Sequence, residues 1–127
     1  MPVITQKFVY RSDLQSNRSV MYLFGDNHAR KGLGGQAKEM RGEPNAHGIR
    51  TKWAPTYNAV DFFSDSQFDK IVEMLDEDFH SVFEHLTMGN IVVLPEDGLG
   101  TGISRLPELA PKTFAYILDR IAVIKAL

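Results

Sequence analysis

The sequence predicts a single α/β domain in which helices cover both faces of a mixed, largely parallel sheet. First, short apolar runs alternate along the chain with helix-forming segments, which is typical of this fold class. Second, two of the apolar runs end in glycine-rich loops, as strands of open α/β sheets do. Third, 127 residues with 43% hydrophobic and 24% charged residues suit one globular domain with a full core. We therefore expect one three-layer α/β/α domain that spans residues 1–127.

The first half of the chain predicts two strands, a short helix and a third strand. Residues 3–10 look like a first strand, residues 20–24 are an apolar run typical of a second strand, and the polar residues 11–19 form the connection between them. Residues 36–41 have good helix propensity, and residues 46–52 form a further short strand.

The second half predicts two helices on either side of a buried strand. Residues 65–87 give the clearest helix because apolar side chains recur there at helical spacing, with Ser64 placed to cap its start. Residues 91–94 are apolar and mostly β-branched, which is typical of a buried parallel strand, and Pro95 ends the run. A last amphipathic helix starts at Pro111.

Two glycine-rich loops form the main candidate for a binding site. The first glycine loop, residues 25–35, follows the second strand, and the second glycine loop, residues 98–104, follows the strand at 91–94. Because the carboxyl ends of parallel strands meet at one edge of a sheet, we expect the two loops to face each other. Glycine-rich loops turn backbone N–H groups toward anions such as phosphate. The alternative for each loop is that its glycines only make a tight turn.

Composition excludes several classes of function. The formal net charge of −2 argues against a protein that binds nucleic-acid backbones, which usually carries a basic surplus. The absence of cysteine excludes disulfides, thiolate zinc sites and cysteine nucleophiles, and the four histidines lack metal-ligand spacing. We therefore expect neither a metal nor a cofactor. The first residues lack the apolar stretch of a signal peptide, and no apolar run reaches membrane-spanning length, so we expect a cytoplasmic protein without a membrane partner.

Short motifs in this chain resemble those of macro domains, a family that binds ADP-ribose. The segments that carry the resemblance are Arg11-Ser12-Asp13, Asn27 with Gly32-Leu33-Gly34-Gly35 five residues beyond it, and Leu94-Pro95 with Gly98-Leu99-Gly100-Thr101-Gly102-Ile103. They are similar, in that order, to the family's lysine-glycine-aspartate and to its first and second phosphate loops. The resemblance implies that Asp13 holds the adenine amino group, that Asn27 faces the distal ribose, and that the loops hold the diphosphate.

The closest resemblance is to the branch of macro domains that uses a lysine to remove ADP-ribose from glutamate and from nucleic-acid bases. Residues 51–57, Thr-Lys-Trp-Ala-Pro-Thr-Tyr, are similar to a Lys-Pro-Thr-Tyr stretch near that lysine. The resemblance implies that Lys52 attacks the ribose. The catalytic aspartate of that branch falls on Ser104, so Asp97 or Asp26 would have to replace it from a neighbouring loop. The chain also resembles small uncharacterised proteins of tailed phages.

Each of these residues has an ordinary structural alternative. A nucleophilic Lys52 needs a lowered pKa, from burial or from a cationic neighbour such as Arg50 or His47, whereas a plain exposed lysine needs neither. Trp53 either stacks on a base or packs in the core or at its rim. Aspartate and asparagine after strands, as at positions 13, 26 and 27, also make turns.

We therefore expect a macro-like domain that binds ADP-ribose or a related nucleotide between the two glycine loops. The enzymatic form of this hypothesis is a glycohydrolase that acts on ADP-ribosylated protein or nucleic acid. The alternatives are a non-catalytic protein that sequesters a nucleotide signal, for example a phage counter-defence protein, and a structural or protein-interaction domain. The expected catalytic residues are Lys52 and Asp97, and the expected ligand-binding residues are Asp13, Asp26, Asn27, Gly32, Gly34, Gly35, Gly98, Gly100, Thr101, Gly102, Ile103 and Ser104.

Overall fold

A computed structural model of the chain describes residues 3–127, so Met1 and Pro2 of the predicted domain lie outside the described residues. The strands are β1 (Val3–Gln6), β2 (Met21–Asn27), β3 (Ala46–Lys52) and β4 (Val92–Pro95). The α-helices are α1 (Arg11–Ser16), α2 (Ala37–Met40), α3 (Phe68–Thr87), α4 (Leu106–Leu109) and α5 (Pro111–Lys125). Two 3₁₀ turns, Ala59–Asp61 and Asp65–Gln67, precede α3.

The strands form one sheet in the order β1-β4-β2-β3, and each neighbouring pair is parallel. This confirms the predicted α/β class with a largely parallel sheet. The central strands β4 and β2 end at the same edge of the sheet, and the two glycine loops leave from these ends. The sheet therefore brings the two loops together, as the alternation of elements predicted.

Alternate side chains of the central strands enter two separate cores. Leu23 of β2 and Leu94 of β4 pack with α3 and α5 on one face of the sheet. Phe24 and Val93 pack with α1 and α2 on the other face. Successive side chains of a strand point to opposite faces, so a strand buried on both sides is apolar throughout. Helices on both faces give the three predicted layers.

The first strand is shorter than predicted, and helix α1 occupies part of the predicted connection. Residues 3–10 were expected as one strand, but β1 ends at Gln6. The carboxylate of Asp13 accepts a hydrogen bond from the backbone N of Tyr10 at 2.9 Å, which caps the first turn of α1. Leu14 is the buried residue of this helix, so no apolar period marks it in the sequence. Helix α4 was not predicted either, because four residues are too few to show an apolar period.

The side chains of Asp26 and Arg30 pass close to the backbone of β3 at Gly48. A Cβ at this position would lie 2.5 Å from Oδ2 of Asp26 and 2.8 Å from Nη1 of Arg30. We predict that Gly48→Ala lowers the free energy of unfolding by about 1–3 kcal/mol, because the paired side chains must shift. Urea denaturation measures this change.

The matched control is Gly102→Ala, because a Cβ at Gly102 meets no atom within 4 Å. We expect this variant to unfold at nearly the same urea concentration as the wild type. An equal loss of stability in both variants would contradict the close approach at Gly48.

Candidate ligand-binding crevice

The two glycine loops line one crevice at the carboxyl edge of the sheet. Two adjoining cavities form it, one of about 300 Å³ and one of about 340 Å³, and both are lined by Gly25, Gly34, Ile103 and Ser104. A Cβ at Gly34 would lie 3.0 Å from Cδ1 of Ile103, so the two loops touch here. This contact divides the crevice into two connected chambers.

The chambers contain the predicted site residues with one exception. The lysine chamber is lined by Asp26, Asn27, Gly32 and Lys52 besides the shared residues, and the glycine chamber by Gly35, Asp97, Gly98, Gly100, Thr101 and Gly102. Asp13 lines neither chamber. Its Oδ2 accepts hydrogen bonds from Nε2 of Gln6 and from N of Tyr10, both at 2.9 Å. These are the contacts of an aspartate that caps a helix, whereas the structural alternative for this residue was an aspartate that makes a turn.

Lys52 is the last residue of β3, and aromatic rings lie next to its amine. Its residue is 4% exposed, and Nζ donates a hydrogen bond to the carbonyl O of Thr56 at 2.6 Å. Nζ also lies 4.2 Å from the ring centroid of Phe62 and 5.2 Å from that of Tyr57. Burial lowers the pKa of Lys52 below its usual value of 10.5, and the carboxylate of Asp61 partly opposes this shift.

Burial is thus the cause of the lowered pKa, rather than either of the cationic neighbours considered above. The guanidinium of Arg50 binds the carboxylate of Asp78, with Nε 3.0 Å from Oδ2. Nε2 of His47 lies 2.7 Å from the carbonyl O of the same residue. Both side chains are therefore directed to α3. The amine of Lys52 becomes neutral at a lower pH than an ordinary lysine.

Ser104 joins a chain of hydrogen bonds that connects the second glycine loop to the sheet. Its Oγ lies 2.5 Å from Oγ1 of Thr51, and Oγ1 of Thr51 lies 3.1 Å from the carbonyl O of Asp26. Because a carbonyl only accepts, Thr51 donates to Asp26 and so accepts from Ser104. The resemblance to macro domains predicts the place of a catalytic aspartate at position 104, and the side chain found there is this neutral hydroxyl.

The two carboxylates considered as replacements for that aspartate are not free beside Lys52. Asp26 is buried, and its oxygens contact Nη2 of Arg41 at 2.6 Å and Nη1 of Arg30 at 3.2 Å. Asp97 is exposed and lines the glycine chamber, whereas Lys52 lines the lysine chamber. The carboxylate whose charge acts on Lys52 is that of Asp61, which was not among the expected site residues.

Asn27 and Arg41 shape the first glycine loop from within. Nδ2 of Asn27 donates to the carbonyl O of Lys31 at 2.7 Å. Arg41, which follows α2, donates to the carbonyl oxygens of Gly32 at 2.7 Å and of Lys31 at 3.1 Å. Arg41 was also missed, because no spacing rule relates an arginine after a helix to a loop earlier in the chain. The side chains of Lys31, Arg41 and Lys52 line the lysine chamber with one carboxylate, so the charge there suits an anion.

Comparison with known proteins assigns the chain to a family. A model described as a family of unknown function, DUF7831, matches residues 4–120. The chain belongs to the DUF7831 family. No curated protein and no solved structure matches it.

The remaining features of this DUF7831 chain define the surroundings of the crevice. Trp53 packs at the rim of the core, with its ring centroid 4.9 Å from that of Phe63 and its Nε1 3.0 Å from Oε1 of Gln67.

Within residues 3–127, no three or more histidine, aspartate and glutamate side chains are grouped as metal ligands. None of the helices described is both long and apolar enough to cross a membrane.

Asp78 of α3 connects the helix to this DUF7831 site through buried charges. Its side chain is 3% exposed and accepts from Arg50, while Nη2 of Arg30 lies 2.9 Å from its Oδ1. We predict that Asp78→Ala lowers the free energy of unfolding by about 3–5 kcal/mol, because it leaves the buried Arg50 with only the exposed Glu77 as a counter-charge. Urea denaturation gives the value, and Asp78→Asn, which keeps an acceptor oxygen, should lose less.

Glu77 is the matched control for Asp78. It neighbours Asp78 on the same helix and lies 3.4 Å from Arg50, but its side chain is 76% exposed. Glu77→Ala should change the free energy of unfolding by less than about 1 kcal/mol. Comparable losses in the two variants would show that burial of Asp78 does not matter.

Proposed function

We propose that this chain binds an ADP-ribose-type nucleotide in the crevice between the two glycine loops. One observation carries the proposal: the loops leave the neighbouring strands β2 and β4 and line one continuous crevice, with Lys52 buried at one end of it. Open α/β sheets bind ligands in this position, and glycine-rich backbone suits a diphosphate. Both chambers also have the size of small-molecule pockets.

The two chambers suit different parts of such a nucleotide. The distal ribose occupies the lysine chamber, next to Asn27 and Lys52, and the diphosphate lies where Gly34 and Ile103 meet. The adenosine occupies the glycine chamber. Supporting this, Oε1 of Gln36, which lines that chamber, is buried without a hydrogen-bond partner among residues 3–127. An unpaired buried acceptor is costly, and an amino group of the ligand would satisfy it.

The enzymatic form of the proposal is hydrolysis of the bond between ADP-ribose and a modified protein or nucleic acid. In that reaction Nζ of Lys52 attacks C1″ of the ribose, the bond to the modified group breaks, and water then releases ADP-ribose from the lysine. The lowered pKa of Lys52 favours this form, because the attacking amine must be neutral. Ser104 in place of an aspartate favours the alternative, a protein that holds the nucleotide without cleaving it. For either form we propose a cytoplasmic setting, which suits a chain without cysteine.

Titration calorimetry with ADP-ribose tests binding. We predict a dissociation constant on the order of micromolar for the wild type and at least a tenfold weaker one for Gly102→Glu. Gly102 lines the glycine chamber with open space at its Cβ position, so the new side chain enters the space of the adenosine and its carboxylate repels the neighbouring diphosphate without straining the fold. Gly102→Ala is the control and should bind as the wild type does. Absence of wild-type binding, or equal binding by Gly102→Glu, rejects the proposed site.

Incubation with ADP-ribosylated peptide and oligonucleotide separates hydrolysis from sequestration. If the chain is a glycohydrolase, Lys52→Met should reduce release of ADP-ribose by at least about a hundredfold, because the attacking amine is gone. Chromatography of the nucleotide measures the release. Lys38→Met, which removes an exposed lysine from α2, should leave turnover unchanged. Recovery of intact substrate from the heated wild-type complex favours sequestration, and turnover retained in Lys52→Met removes Lys52 from the mechanism.

A further inference from the structure

We infer that Asp61, acting through Thr56, is the residue that positions Lys52 in this crevice. The inference rests on the proposed function, in which the Lys52 amine faces the ribose. The second glycine loop supplies no carboxylate for this purpose, because the side chain of Ser104 is a neutral hydroxyl that bonds to Thr51. Both Asp61 and Thr56 belong to the strap, residues 53–62, which follows β3 and returns to its end.

The strap is closed at its base next to Lys52. Lys52 and Phe62 form an isolated antiparallel bridge. One residue further in, the backbone N of Trp53 donates to the carbonyl O of Asp61 at 2.8 Å. The two ends of the strap are thus fixed to each other, and Asp61 stands beside the residue that it is proposed to position.

Thr56 connects Asp61 to the amine within the strap. The hydroxyl of Thr56 donates to the carboxylate of Asp61 and accepts from the backbone N of Asn58 at 3.1 Å. The carbonyl O of the same Thr56 accepts from Nζ of Lys52 at 2.6 Å. One residue therefore binds the carboxylate with its side chain and the amine with its backbone, so the carboxylate fixes the position of that carbonyl.

This arrangement directs the amine. A neutral amine has two N–H bonds and one lone pair, and the Thr56 carbonyl holds one of the N–H bonds. The rings of Tyr57 and Phe62 cover further directions, at 5.2 and 4.2 Å from Nζ. Lys52 meets the ligand space where it lines the lysine chamber. An amine held in this way reacts faster than a mobile one, because displacement of a reacting group by about 1 Å costs up to a hundredfold in rate.

The other charged groups around the amine are engaged elsewhere or lie on other walls. Asp26 in the same chamber is paired with Arg41 and Arg30. Lys31 and Arg41 line the wall of the first glycine loop. Arg105 lies over the ring of Phe62, 5.9 Å from its centroid, and forms an ion pair with Glu108. Asp61 is the carboxylate whose charge acts on the pKa of Lys52, and it raises that pKa against the effect of burial.

The first arm of the test needs no nucleotide. The ¹³Cε resonance of Lys52, assigned by its loss in Lys52→Met, is titrated with pH in protein labelled with ¹³C-lysine. Asp61→Asn removes the charge but keeps an oxygen that accepts from Thr56, so the titration midpoint of Lys52 should fall. Asp69→Asn makes the same change at an exposed position on α3 and should leave the midpoint in place. An unchanged midpoint in Asp61→Asn shows that the charge of Asp61 does not reach the amine, and it overturns the inference that Asp61 acts on Lys52.

The second arm measures the reactivity of the amine. The open-chain aldehyde of ADP-ribose condenses with a neutral lysine to an imine with loss of water, and cyanoborohydride reduces the imine to a stable amine that peptide mass spectrometry quantifies. Thr56→Val removes the bond to Asp61 but keeps the carbonyl and the charge. At a pH above the midpoint of Lys52, this variant should be trapped at least about tenfold more slowly than the wild type. Thr56→Ser should restore the rate.

The two arms distinguish failure of the inference from failure of the proposed function. A wild type that does not bind ADP-ribose rejects the proposed function, while the titration arm still decides whether Asp61 acts on Lys52. A wild type that binds and is trapped at Lys52, together with an unchanged rate in Thr56→Val, rejects the positioning role alone.

Discussion

A chain of alternating charges, centred on the buried carboxylates of Asp78 and Asp26, connects helix α3 to the first glycine loop and holds the candidate site together. Asp78 of α3 binds Arg50 and Arg30, Arg30 also contacts Asp26, and Asp26 binds Arg41, which reaches the loop carbonyls. Each carboxylate thus has two guanidinium partners. Removal of either carboxylate takes a counter-charge from both of its guanidinium partners, and for the buried Arg50 this costs several kcal/mol. Helix α3, which contacts the edge strand β3, therefore helps to stabilise the first glycine loop.

The same charges explain two irregular features of the backbone. The backbone N of Arg50 lies on the open edge of the sheet and donates to Asp78 at 2.8 Å, so a helix side chain satisfies the edge strand there. Arg30 has a φ of 56°, a left-handed conformation that costs a non-glycine residue about 1–2 kcal/mol. Its guanidinium meets two carboxylates and the carbonyl of Gly48 from that position, and these bonds offset the strain.

The sequence predicts the elements that local patterns determine, but it does not predict contacts between residues that are far apart in the chain. Helix α3 and strand β4 were predicted because a long apolar period and a short apolar run identify them, and the meeting of the glycine loops followed from parallel strands. Helix α1 has a single buried residue and gave no period. Arg30 and Asp78 are 48 residues apart, and Arg41 and Asp26 are 15 apart, so no spacing rule pairs them. For the same reason the motif around Lys52 identified the lysine, but neither its burial nor Asp61.

Ser104 and Lys52 line the same chamber, and the Ser104 side chain brings no charge to it. The Ser104 hydroxyl is used in a neutral chain that fixes the second glycine loop to Thr51 and to the carbonyl of Asp26. Burial has the largest effect on the pKa of Lys52 and lowers it, and the charge of Asp61 opposes that shift. A carboxylate in the same place would face the Asp26 carbonyl and would favour the charged lysine. In this crevice, burial lowers the pKa of the Lys52 amine, and we propose that the carboxylate of Asp61 directs the amine through Thr56.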